Sequence, residues 1–289
     1  MPWIPRGLRE GIVTTRYPRQ PDGYGPSFQG SIVARVAHGA RGALTEVVEA
    51  CPTSAISLSD GLAQVDRGLC VLCARCTHML PEVFAFDPSF ETSVIRRRQL
   101  VVPDIDEDDT GLEMARAELG RRVKALRRSI HIRHVDGGSD GSEEWEVAAL
   151  TNPIYDVQRL GIFFTASPRH ADVLLVTGVG SAGMRGPLRH TFEVMPDPKV
   201  VIAAGVDAIS GGLLGRGYAA GGGVGDVVPV DVFVPGSPPT PFGLLHGILL
   251  AIGLLPPTPG ANVQRSPAEE KGATHGSAFP EDPPREAGP

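Results

Sequence analysis

In the second half of the chain, short runs of β-branched and aliphatic residues alternate with stretches of helical period. IHIRHVD (Ile130–Asp136), DVLLVTG (Asp172–Gly178), KVVIAAG (Lys199–Gly205) and VDVFVPG (Val230–Gly236) each close on a glycine or an acid. Helical patterns such as PLRHTFEVM (Pro187–Met195) lie between them. Apolar strands separated by helices predict an α/β domain with a mostly parallel sheet. The functional groups of such a sheet gather at the carboxyl ends of its strands. Upstream, DIDEDDTGLEMARAELGRRVKALRRS (Asp104–Ser129) starts acidic and ends basic, which suits the helix dipole. Leu112, Ala115, Leu119, Val123 and Leu126 fall on one face of it, so 104–129 predicts a linker helix. Residues 31–103 form a separate small unit with every cysteine in it. Residues 1–30, rich in Arg, Pro and Gly, predict an extended arm. Residues 256–289 have almost no large apolar side chains and predict a disordered tail.

Composition narrows the function classes. Hydrophobic residues make up 42% and charged residues 21%, as in a soluble globular protein, and the net charge of −6 gives no general case for nucleic acid as a partner. The opening MPWIPRGLRE lacks the apolar core of a secretory signal. PFGLLHGILLAIGLL (Pro241–Leu255) is too short to span a bilayer and contains His246. The expected place is therefore cytoplasmic. Four cysteines in 289 residues are not a disulfide framework, and their clustering points to metal.

Three of them lie in CVLCARCTHMLP (Cys70–Pro81): Cys70, Cys73 and Cys76 open an iron–sulfur run. Such a run normally closes with a fourth cysteine before a proline, but Leu80 precedes Pro81 here. In two-cluster ferredoxins the fourth cysteine of each run serves the other cluster. The tail of an earlier run is present as EACPTSAIS, with Cys51 before Pro52. Its first three cysteine positions fall on Arg41, Leu44 and Val47. The losses therefore sort by cluster: one has lost all its ligands, while the other keeps Cys51, Cys70, Cys73 and Cys76 and predicts one 4Fe–4S cluster. Four thiolates could instead hold zinc, although zinc favours paired CxxC knuckles and has no use for the Cys-Pro dipeptide. His78 lies in the same stretch but is not needed as a ligand.

This half resembles bacterial-type ferredoxin domains, specifically the ferredoxin-like subunits of complex I and related hydrogenases, and RGLREGIVTTRYP (Arg6–Pro18) is similar to the leading segment of that group. The second half resembles the B-type subunit of NADH-quinone oxidoreductase (complex I) and the small subunit of energy-converting NiFe hydrogenases. That resemblance rests on YDVQRLGI, SPRHADVLLVTG and PGSPP within His134–Leu249. It implies a flavodoxin-like α/β fold, a second 4Fe–4S cluster at the carboxyl edge of the sheet, and a large-subunit partner linked to a membrane module. The overall expectation is an α+β ferredoxin-like small domain joined to an α/β flavodoxin-like domain.

The family's four cluster cysteines fall on Asp140, Glu143, Asp207 and Ser237, with its following glutamate retained as Glu144. Oxygen ligands suit hard ions rather than iron and sulfide, so the second cluster is expected to be absent. The four positions then form either a structural remnant held by hydrogen bonds among them or an oxygen-rich site for a hard cation. A separate motif, GVGSAG (Gly178–Gly183), matches the GxGxxG spacing of dinucleotide sites, with Asp207 after the next strand. Against that reading, its strand is not the first of the domain. His134, His170, His190 and His246 are scattered and predict ordinary hydrogen-bonded or surface residues.

The functional expectation is an electron-transfer subunit, peripheral on the cytoplasmic face of a membrane through its partners and not an enzyme alone. The alternatives are a structural or assembly subunit whose cluster is not part of a relay, and a nucleotide-binding reductase.

Overall fold

The computed structural model describes residues 3–20, 30–35, 41–59, 61–103, 109–124 and 129–255. The stretch 256–289, expected as a tail, lies outside the described residues.

The larger unit is a five-stranded, wholly parallel sheet made of β6 (Ile130–Asp136), β7 (Ile162–Phe164), β8 (Val173–Thr177), β9 (Val200–Ala204) and β10 (Val232–Val234). Four of these strands follow the apolar runs of the sequence. The short strand at IFF did not stand out, because three residues carry too little periodicity. The spatial order β7-β6-β8-β9-β10 is the flavodoxin-like order, with its switch point between β6 and β8. Every residue of β8 and β9 is buried. Such strands cannot alternate polar with apolar, because helices cover both faces.

One face packs against α4 (Asp109–Val123), α5 (Ser142–Ala149) and α8 (Pro241–Ala251). The other packs against α6 (Arg185–Val194) and α7 (Val206–Ser210). Helix α8 is apolar all round and wholly buried. It starts at Thr240, whose Oγ1 accepts a hydrogen bond from the Gly243 N–H at 3.2 Å, with Pro241 in the first turn. The helix expected as a linker is part of this layer. Leu112, Leu119 and Val123 enter the same core, and Arg122 pairs with Asp231 at the foot of β10. Leu126 lies outside the described residues.

The smaller unit holds two antiparallel sheets: β1 (Ser31–Ala34) with β4 (Phe84–Asp87), and β2 (Ile56–Ser59) with β3 (Leu62–Asp66) and β5 (Val101–Val102). Helices α2 (Arg41–Ala50) and α3 (Arg75–Met79) complete it. Together the two units give the α+β plus α/β architecture expected from the sequence. In the stretch expected as an extended arm, Trp3–Glu10 is a helix, α1, with an Arg6–Glu10 pair one turn apart. Further on, the Thr15 N–H donates to the Ile154 carbonyl at 2.8 Å, and Arg159 donates to the Tyr17 carbonyl at 2.7 Å.

The segment between β4 and β5 welds the units together. Val94 bridges to Phe233 of β10. Phe90 stacks on Phe242 at 5.0 Å, and Tyr17 meets Phe90 edge-on at 5.2 Å. The Ser93 N–H points at His246 Nδ1 at 3.4 Å, and Ser93 Oγ donates to the Gly243 carbonyl at 3.3 Å. Burial pushes His246 down to about 4, so it sits in the core as a neutral acceptor.

Gly247 is the closest approach in this weld. A Cβ there would fall 2.3 Å from Val234 Cγ2 and 3.1 Å from Ser93 Oγ. Gly247→Ala should destabilise the chain by about 1–3 kcal/mol through overpacking. Gly120→Ala, on the exposed face of α4 with nothing near its Cβ, should stabilise by up to about 1 kcal/mol. Thermal unfolding of both variants checks this; equal midpoints would count against the weld.

Candidate metal centre

The four cysteines come from two segments that the chain brings together across the β2–β3 hairpin. Cys51 follows α2 directly, while Cys70, Cys73 and Cys76 occupy the loop that enters α3. All four line one solvent-open cavity of about 390 Å³, with Ile32, Val47, Ile56 and Val65 among its walls. Cys73 is exposed and the other three are half-buried. The loop winds through left-handed conformations at Leu72 (φ 54°) and Ala74 (φ 62°), which non-glycine residues rarely adopt. Strain of this kind collects at ligand-holding sites.

Donors face the sulfurs. The Ala55 N–H donates to Cys51 Sγ at 3.3 Å, and the Leu72 and Thr77 N–H groups face Cys70 and Cys76. Burial pushes the Cys70 thiol up to about 11, and the neighbouring sulfurs add to the rise while the Leu72 N–H opposes it. Burial likewise raises Cys76. Four thiols crowded in an apolar wall are costly as free anions, and a bound cationic metal core removes that cost. Among the described residues no three His, Cys, Asp or Glu side chains gather tightly enough to hold one metal ion. Four thiols, three from one CxxCxxC loop and one from a distant Cys-Pro, are the donor set of a 4Fe–4S cluster.

Three of the positions expected for the ligands of a second cluster lie in the core of the small unit. Leu44, Val47 and Leu80 are 3%, 2% and 6% exposed and sit in one apolar cluster with Val83 and Phe84. Core packing fills the place where a second cluster would have needed thiolates. The side chain of Arg41 is not among those described.

At the carboxyl edge of the larger sheet the other predicted positions are only partly gathered. Asp140 is exposed, and its carboxylate accepts from the Ser142 N–H at 2.9 Å. Glu143 is 1% exposed and accepts from Ser142 Oγ at 3.2 Å. Gly205, at φ +91°, leaves the space its side chain fills: a Cβ there would fall 2.6 Å from Glu143 Oε1. Asp207 is half-buried in α7, and Ser237 is exposed on the loop after β10. Neighbouring acids act on Glu143 and Asp207. Burial, then Asp207 and Glu144, pushes Glu143 up to about 7, and burial with Asp140 and Glu144 raises Asp207. The hydrogen bonds of Asp140 and Glu143 run to Ser142 beside them rather than across the pocket, and no described group of acids is close enough for a hard cation.

The retained Glu144 is better connected. Its Oε1 accepts from Thr177 Oγ1, and its Oε2 accepts from Ser139 Oγ at 2.7 Å. Thr177 Oγ1 lies 3.0 Å from His134 Nε2. Because Thr177 donates to Glu144, His134 must donate to Thr177, which assigns the Nε2–H tautomer. Sequence reading set His134 aside as ordinary and missed Thr177 and Ser139. Nothing in their spacing shows that the β6–β8 pairing brings them together.

Two of the three glycines of the GxGxxG loop are explained by packing. A Cβ on Gly178 would fall 2.6 Å from the Gly138 backbone, and one on Gly180 would fall 2.9 Å from the Gly223 carbonyl. The N–H groups of Val179, Ser181 and Ala182 donate to Gly138, Gly137 and Ala219. The donors that would cradle a pyrophosphate are thus spent on the chain itself.

The pH behaviour of Glu143 is testable. Between its ordinary value of 4.5 and about 7 the folded chain keeps a proton that the unfolded chain has released. Stability therefore falls as pH rises through that window. Glu143→Gln should remove most of this slope and leave the variant about 1–3 kcal/mol more stable above neutrality. Unfolding midpoints across pH check it, and parallel curves for the two proteins would overturn it.

Comparison with known proteins places this geometry. Residues 141–251 match the family described as NADH ubiquinone oxidoreductase, 20 Kd subunit, and residues 65–117 match the 4Fe-4S single cluster domain of Ferredoxin I. Formate hydrogenlyase subunit 7 of Escherichia coli is 42% identical over 133 residues, 46% of this chain and 52% of that protein, so the chain spans about half the length of this relative. The Pyrococcus furiosus protein named "Probable membrane-bound hydrogenase subunit mbhJ" is 38% identical over 141 residues, 47% of this chain and 84% of that protein. A chain in the structure of the membrane-bound sulfane sulfur reductase, an archaeal respiratory membrane complex, is 30% identical with a TM-score of 0.41, covering 46% of this chain and 73% of that one. With a relative this similar matched over most of its length, the chain belongs to the NADH ubiquinone oxidoreductase 20 Kd subunit family, and it carries a 4Fe-4S ferredoxin domain ahead of the family's own.

Proposed function

We propose that the chain is an electron-transfer subunit of a complex I-like or energy-converting hydrogenase-like oxidoreductase, with one 4Fe–4S cluster on Cys51, Cys70, Cys73 and Cys76. The observation that carries this reading is the convergence of four thiols from two segments on one apolar-walled cavity. When bound, the cluster supplies one-electron chemistry. The chain's residues do the rest. Ile32, Val47, Ile56 and Val65 supply the apolar wall behind the sulfurs, and the N–H groups of Ala55, Leu72 and Thr77 stabilise the thiolates. The oxygen side chains at Asp140, Glu143, Asp207 and Ser237 support the absence of a second cluster, since iron and sulfide prefer thiolates.

On this reading 31–103 is the cluster-holding unit and 130–255 the family unit, with 1–30, 104–129 and 256–289 flanking or joining them. The relatives are named as subunits of a hydrogenlyase and a membrane-bound hydrogenase. We therefore place the chain against a large subunit resembling that of complex I or NiFe hydrogenase, on the cytoplasmic face of a membrane module. Among the described residues no helix is long and apolar enough to cross a membrane, so the membrane link falls to partners.

The carboxylates at the sheet edge favour one second reading. A relay that ends before the large subunit would make the chain a structural or assembly component with a non-relay cluster. The two readings part on whether the cluster can be reduced at potentials available to partner proteins.

Anaerobically purified full-length chain should contain about four irons and four acid-labile sulfides, with one reduced-cluster EPR signal. Cys51→Ala should lose that signal even though the CxxCxxC loop is intact. About eight irons would mean the carboxylate edge holds a cluster after all. Zinc without iron would sink the electron-transfer reading.

A further inference from the structure

The position of Arg67 is not explained by the fold. It follows β3, three residues before Cys70, and its side chain is 7% exposed. Its Nε and Nη2 make no hydrogen bond, and its nearest carboxylate is Asp87, at 3.6 Å from Nη2. Arg97, which reaches the same turn from the 3-10 helix Arg97–Leu100, shows the contrast: it grips Asp66 with two hydrogen bonds of 2.8 and 2.9 Å. Arg67 instead lines a second cavity, of about 200 Å³, together with Cys70, Leu72, Pro235 and Gly236. Cys70 lines this cavity and the four-thiol cavity alike. The guanidinium thus shares a cavity with Cys70 and with the loop that follows β10.

A buried cation with unsatisfied donors and one loose carboxylate partner is unfavourable unless more negative charge lies nearby. Burial pulls the Arg67 guanidinium down, and the two groups that hold it up are Asp87 and Cys70. A 4Fe–4S core on four thiolates carries net negative charge, and reduction adds one more unit. A fixed buried cation stabilises the more negative state more strongly, which raises the reduction potential.

Resting on the single-cluster reading above, we infer that Arg67 is the buried counter-charge of the cysteine-held cluster and sets its reduction potential from the side of Cys70. It touches no reacting atom and acts through the charge it places beside Cys70. Asp87, the opposing charge next to it, moderates the effect.

The test is an EPR-monitored redox titration of the full-length chain, preceded by iron and sulfide analysis. Arg67→Gln should disfavour reduction at least tenfold, a downward shift of 59 mV or more for a one-electron couple. Arg67→Lys should stay close to wild type, and Asp87→Asn should shift several-fold in the opposite direction. A role confined to packing would leave the potential unmoved. Arg67→Gln with full iron content and an unchanged potential overturns the inference. If Arg67→Gln does not fold, Asp87→Asn decides: an upward shift supports the counter-charge, and no shift overturns it. A wild-type chain without iron would instead bring down the electron-transfer reading itself, and the prior analysis separates that case.

Discussion

The convergence of Cys51 on the loop from Cys70 to Cys76 is the constraint that shapes the small unit. Two segments must meet with their sulfurs facing inward, and the backbone has to bend for it. Leu72 and Ala74 adopt left-handed conformations in the loop, and Ser54 does the same just after Cys51. Packing of Leu44, Val47 and Leu80 against Val83 and Phe84 holds those bends in place. These apolar residues thus buttress the four-thiol cavity.

The second constraint is the weld between the units. Ser93, Val94, Phe90 and Tyr17 tie the segment after β4 to α8 and β10 by hydrogen bonds, a bridge and ring contacts. His246 sits at the centre as a neutral acceptor, because a charged imidazole could not be solvated there. The weld also sets Pro235 and Gly236 beside Cys70 and Arg67. The proposed cluster site and the carboxyl edge of the parallel sheet are therefore fixed relative to each other by the core rather than by a flexible joint.

At that edge the side chains are acids and hydroxyls: Asp140, Glu143, Glu144, Asp207 and Ser237. Glu143 is buried and held up near neutrality, while Glu144 closes a chain from His134 through Thr177. Gly178 and Gly180 of the GVGSAG loop let the chain after β8 lie against the backbones of 138–139 and 223.

The sequence by itself determined the fold class and the main strands, because apolar runs such as VLLVT and VVIAA alternate with helical stretches, as in a parallel sheet covered on both faces. It also marked the candidate thiols, because the CxxCxxC and Cys-Pro spacings are those of an iron–sulfur run. It did not show that the helix at 109–123 packs as a core layer, since an amphipathic period says that a face is buried but not against what. Nor did it say what the GxGxxG glycines are for, because glycine spacing cannot tell a phosphate cradle from backbone packed on backbone. The His134–Thr177–Glu144 chain and the place of Arg67 were settled only by the tertiary structure. Both depend on distances between side chains far apart in sequence, and those distances exist only once the sheet has closed and the two units have packed.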